Sequence, residues 1–276
     1  MFDKDTIKAI QESTSIAQAA KSLIDHNASH HLAALPSDFK LHDIENFLEN
    51  RRRLRGTMET ANTESFADYA EANAEEGATV FIDQNAMSAT AVLNLGTPTS
   101  PGHADNKAVL KPEKTAAYKA LLLHANGAGN AQKTIAEFLE DWAGNCACFG
   151  ADATPIKTAQ AVAAVRKITI DSMRKIESEE QSLGASKSAF ESVQASSKEP
   201  LPVLIVFTCQ PYADLGPREF ALRLGVLTGE ATPKVNLRIS KMEEHQEQMA
   251  AELSDRINAQ FCGNFAIRLG TYQRAQ

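Results

Sequence analysis

The densest set of chemically capable residues in this sequence is the run Pro101-Gly102-His103-Ala104-Asp105-Asn106. A histidine and a carboxylate two residues apart can ligate a metal or exchange protons, because imidazole changes charge near neutral pH. The competing assignment is structural: Asp105 and Asn106 make turn hydrogen bonds while His103 sits at a strand edge. No third ligand lies close in sequence, so the structural assignment of His103 and Asp105 is preferred and no metal or other cofactor is expected. His30 and His31 form a second pair, expected on the surface at a helix end.

Arg51, Arg52, Arg53 and Arg55 make the one dense basic cluster of the sequence. On a strand, alternation puts Arg51, Arg53 and Arg55 on one face, where they could contact the phosphates of nucleic acid. Arginine also serves ion pairs within and between subunits, its fork matching a carboxylate. That use is preferred here, and Glu243, Glu244, Glu247, Glu252 and Asp255 can supply the partners. Cys146, Cys148, Cys209 and Cys262 read as free thiols; C-x-C lacks the spacing of a zinc ribbon or redox loop. The sequence has no Gly-x-Ser-x-Gly elbow, phosphate loop, dinucleotide-binding glycine run or His-Glu-x-x-His. Common hydrolase, ATPase and dehydrogenase assignments therefore lose their support.

The elements that must position these residues follow from periodicity. Residues 1–30 predict a polar, peripheral helix whose thin stripe of Ile7, Ile10, Ala17, Ala20, Leu23 and Ile24 docks on the body or pairs with another copy. From Arg53 the period becomes two, the sign of a strand, and Asn62 or Thr63 caps a helix carrying Phe66, Tyr69 and Ala70. Val80–Ile82 and the alternating Met87–Leu95 predict an antiparallel hairpin, followed by a mobile loop at 96–102. Pro112 starts the next helix, and Asn130 caps the one bearing Ile135, Phe138, Leu139 and Trp142 at i, i+3, i+4 and i+7. A helix over 158–167 precedes a strand at Ile168–Ile170, and Val203–Thr208 reads as a central strand. A second hairpin joins Phe220–Val226 to Val235–Ile239, then a helix with Met242, Met249, Leu253 and Ile257 leads to a last strand from Phe265. Clustered rather than alternating helices and strands predict an α+β fold with mixed, largely antiparallel sheets, residues 31–276 forming one domain.

Composition agrees with a folded soluble protein: 276 residues, 43% hydrophobic, a net charge of −7 and an isoelectric point near 5.6. A broad basic surface for duplex DNA is disfavoured. No stretch reaches the roughly 18 apolar residues of a membrane helix, and the first residues lack a signal-peptide pattern, so the expected location is cytoplasmic with no membrane partner.

Several blocks in order resemble the YfdQ-type proteins of tailed phages and prophages, a domain-of-unknown-function family. They are Leu35–Phe39, Arg53–Gly56 leading to Ser65–Tyr69, Val80–Asp83, Ala91–Gly96, Pro101–Asp105, Ala136–Trp142, Phe207–Tyr212 and Arg218–Leu224. The resemblance implies a phage or prophage product made in a bacterial cytoplasm, with an accessory role in DNA metabolism by association. The preferred expectation is a non-enzymatic, self-assembling accessory protein, a homo-oligomer with single-stranded nucleic acid as a candidate partner at Arg51–Arg55. An enzyme or host-defence antagonist using the His103/Asp105 loop on a nucleotide or metal is the alternative, and a shell or scaffold component is a third.

Overall fold

The computed structural model describes residues 3–24, 45, 49–168, 201–227, 234–261 and 263–273. The chain divides into two compact units, Met1–Leu54 and Arg55–Gln276. In the first, α1 runs over Lys4–Ile24, the polar helix that the sequence predicts. His30 and His31 lie outside the described residues.

The second unit holds two sheets. The five-stranded one has the order β1-β4-β3-β2-β11, with β1 Gly56–Thr60, β2 Thr79–Asp83, β3 Ser88–Val92, β4 Asn106–Leu110 and β11 Ala266–Leu269. Its inner pairs are antiparallel, while each edge strand joins in parallel. The predicted hairpin is β2–β3, with Asp83 opposite Ser88. The Asp83 carboxylate accepts the amides of Asn85 and Ala86, both at 3.0 Å, and so folds the turn.

The six-stranded sheet has the order β5-β10-β9-β8-β6-β7 and is antiparallel throughout. Its strands are β5 Asn130–Ala131, β6 Cys146–Phe149, β7 Pro155–Ile156, β8 Leu204–Cys209, β9 Arg218–Leu227 and β10 Lys234–Ile239. Alternation is clean: Ile205, Phe207, Phe220, Leu222, Leu224, Val235 and Leu237 are buried, and Thr208, Glu219, Arg223 and Arg238 between them are exposed. This is the α+β class with mixed, mostly antiparallel sheets.

Helices close the core. Asn62 caps α2 (Thr63–Ala72) by accepting the Ser65 amide at 2.7 Å, and Asp214 takes both the Thr63 amide and its hydroxyl. α3 (Ala116–His124), α4 (Gln132–Asp141) and α5 (Thr158–Arg166) belong to the six-stranded side, where Tyr118 stacks on Phe220 and Phe138 on Phe207, both at 5.5 Å. α6 (Met242–Phe261) joins both sides: its Phe261 meets Phe66 edge-on at 5.8 Å and its His245 lies 4.7 Å from Phe220.

Five local expectations change. The strand begins at Gly56, so Arg51–Arg55 precede it and do not alternate on its face. α3 starts at Ala116 and not at Pro112, with Thr115 as its cap, because the Thr115 hydroxyl can accept the Tyr118 amide while proline only presets φ. Ala131 stands at the start of α4, and Asn130 instead donates to the His124 and Ala128 carbonyls. The 96–102 loop is pinned by Gly102 N–H donating to Leu95 O at 2.8 Å, with Gly96 at φ +74°, where a side chain would strike the Gly102 amide. Trp142, the last residue of the predicted stripe, stands just past the end of α4 and packs half-buried against the core, edge-on to Phe207. Ile168 is buried, while residues 169–170, the 228–233 turn and Cys262 lie outside the described residues.

Candidate functional site

The His103/Asp105 segment is built around Asn94, which is almost fully buried at the end of β3. Its side-chain oxygen accepts the amides of Asp105 at 3.1 Å and Asn106 at 3.0 Å, and its amide donates to the Asp105 carboxylate at 2.9 Å. The Asp105 carbonyl then receives Gly56 N–H at 2.9 Å, tying the segment to β1. Ala104 takes φ 51°, which turns the chain so that His103 is exposed while Asp105 is half-buried. One asparagine thus closes a clasp between the ends of β3 and β4. The carboxylate that the sequence pairs with His103 accepts the Asn94 side-chain amide.

Two neighbouring clefts form where α6 begins, and they share Leu122, Met242, Glu243 and Gln246. The larger, about 880 Å³, lies between the β2–β3 turn, the Lys111–Lys114 segment and α6. Lys114 bridges to Tyr212 and the Thr115 amide donates to Pro211 O at 3.0 Å, which brings Tyr118 and Tyr212 together with ring centroids 5.9 Å apart. Both phenols line the cleft while nearly buried. Burial drives the Tyr118 hydroxyl far above its ordinary range, with Tyr212 and Cys209 adding to the effect against Arg218, and burial raises Tyr212 as well. Both stay protonated at neutral pH and are suited to donating hydrogen bonds, not to acting as bases.

The smaller cleft, about 620 Å³, is lined by Arg223, Arg238, Asn126, Ser240 and Lys241. Lys111 pairs with Glu59 at 3.3 Å and Lys241 with Glu244 at 3.0 Å. Among the described residues no carboxylate lies within 4.0 Å of the charged ends of Lys114, Arg223 or Arg238. Beside the clefts, Arg218 holds Glu252 at 2.8 Å, and burial followed by Arg218 lowers His245 below its usual value, against a weaker pull from Glu244.

The comparison with known families covers nearly the whole chain: residues 3–272 match the DUF2303 family, described as an uncharacterized conserved protein. The chain belongs to the DUF2303 family. No curated protein and no solved structure matches it. In this DUF2303 chain Arg51 and Arg52 are exposed, whereas Arg53 and Arg55 are half-buried and engaged in interactions of their own. Glu252, one of the proposed acidic partners, is committed to Arg218 and accepts Gly216 N–H at 2.7 Å. Cys146, Cys148 and Cys209 are free thiols, and burial raises them to about 12, 11 and 11, Cys148 adding to the shift of Cys146. No group of three or more metal-ligating side chains occurs among the described residues. No helix among them is long and apolar enough to cross a membrane.

Sequence reasoning overlooked Asn94, Arg223 and Arg238 of this DUF2303 chain. The signal for the arginines was present, since both fall on the polar phase of an alternating strand. What it lacked was the register that sets one opposite the other.

Proposed function

We propose that this DUF2303 chain is a phage or prophage accessory protein, made in a bacterial cytoplasm, that works by assembling with copies of itself and not by catalysis. The YfdQ-like blocks support the phage assignment and its link to DNA recombination or replication. The observation that carries the assembly is α1, where Ile7 and Ile10 are 48% and 53% exposed one helical turn apart. Burying an isoleucine is worth about 1.5–3 kcal/mol, so a helix that leaves two in water is suited to a partner helix. The bonds between Asn94 and Asp105 give that carboxylate a structural role in joining β3 to β4, which favours the non-enzymatic reading.

The test is particle mass by light scattering together with negative-stain imaging, with and without single-stranded DNA. The expected result is a defined oligomer that Ile7→Glu with Ile10→Glu reduces in size. A wild-type monomer under every condition, or a double variant that assembles unchanged, overturns the proposal.

A further inference from the structure

Arg223 of β9 and Arg238 of β10 are direct partners across an antiparallel ladder, both exposed on the face opposite the buried Leu222, Leu224 and Leu237. Like charges in that position repel and destabilise the pair. This chain carries 35 carboxylates against 28 lysines and arginines, yet neither arginine makes an ion pair among the described residues. Two other arginines of the same unit are matched, Arg166 with Glu140 at 2.6 Å and Arg218 with Glu252 at 2.8 Å. The two guanidinium groups therefore concentrate positive charge that no ion pair among the described residues balances.

They also share a container. Both line the 620 Å³ cleft with Ser240 and Gln246, and that volume falls within the range of small-molecule sites. Lys241, on the same wall, is balanced by Glu244, and Glu243 is the remaining carboxylate of the lining. Two guanidinium forks suit a dianionic phosphate, which can accept paired hydrogen bonds on separate oxygens; a single carboxylate engages only one fork. The cleft is much larger than a bare phosphate and adjoins the 880 Å³ cleft, with which it shares Leu122 and Met242 as lining. We propose that Arg223 and Arg238 form the anchoring half of a binding site for a phosphate ester, the organic part of which occupies the adjoining cleft. The site stands apart from assembly through α1, and it is read by binding rather than particle mass, so either proposal can fail alone.

The test uses the full chain at constant ionic strength, with pyrophosphate, thymidine monophosphate and an oligothymidylate as probes, followed by calorimetric titration and unfolding temperature. The expected result is a saturable response of wild type to at least one probe that sulfate does not reproduce. Arg223→Gln with Arg238→Gln should weaken that binding at least about tenfold, because charge-assisted bidentate contacts are lost. Arg223→Lys with Arg238→Lys preserves charge and removes the forks, so it should fall between the two, and it serves if the glutamine variant does not fold. A response confined to the monophosphate, or to the oligonucleotide, supports the site and identifies the source of its phosphate. Equal responses to sulfate, no response to any probe, or glutamine and lysine variants that bind like wild type overturn the proposal.

Discussion

Replacing Asn94 with alanine tests the structural reading of the His103/Asp105 segment most directly. The substitution removes three hydrogen bonds at once: two backbone amides lose their acceptor and the Asp105 carboxylate loses a donor. The Asn106 amide is buried, and an unsatisfied buried donor costs about 1–3 kcal/mol. The Asp105 amide and carboxylate are half-buried and can recover water, so each adds only about 0.5–1.5 kcal/mol. The expected loss is about 2–6 kcal/mol, equivalent to roughly 4–24 °C in the unfolding midpoint of a unit this size. Thermal unfolding followed by circular dichroism, paired with urea denaturation, reads the effect. Gly102→Ala should act in the same direction, since its new methyl group would stand 2.1 Å from the Asn94 carbonyl oxygen. His103→Ala, at an exposed position, should stay within about 0.5 kcal/mol of wild type. The reasoning is refuted if Asn94→Ala stays within 1 kcal/mol of wild type by this same estimate, or if His103→Ala is the more damaging change.

Phe138→Ala should cost about 3–5 kcal/mol because the ring is buried against Phe207, and Trp142→Ala clearly less because the indole is half-exposed; a reversed order in urea melts contradicts the packing described. In a Cys262→Ser background, iodoacetamide should modify Cys148 and Cys209 about 100-fold more slowly in the native protein than in urea, since burial pushes both thiols up to about 11 and cuts the thiolate fraction accordingly. Rapid native labelling would show these thiols to be accessible. Burial holds His124 and His245 below the ordinary histidine value, so the unfolded chain takes up protons first as the pH falls through about 6.5. Their contribution is therefore complete above that pH and lost below it, and His124→Gln with His245→Gln should flatten the decline in midpoint on acidification; an unchanged slope would disprove it.

Much of the fold was legible because it depends on local periodicity. The β2–β3 hairpin, α4 with Ile135, Phe138 and Leu139, and the β9–β10 pairing follow from which side chains must leave water, and a period of 2 or 3.6 records that choice directly. Caps were less legible where several residues could serve. Asn62 met the geometry expected of it, but Asn130 was drawn into β5, since its amide finds the His124 and Ala128 carbonyls there.

Sequence by itself also determined which residue types could do chemistry and that they do not form a familiar catalytic signature. It could not determine which of them meet. Asn94 and Asp105 are 11 residues apart and join because β3 and β4 pair antiparallel, and Arg223 faces Arg238 because the β9–β10 register sets them on one rung. The arginine cluster at 51–55 is dense in sequence yet precedes the strand that was expected to display it. Periodicity is a one-dimensional consequence of burial and survives in the sequence, whereas register, and with it every contact between distant residues, is fixed only when the whole core closes.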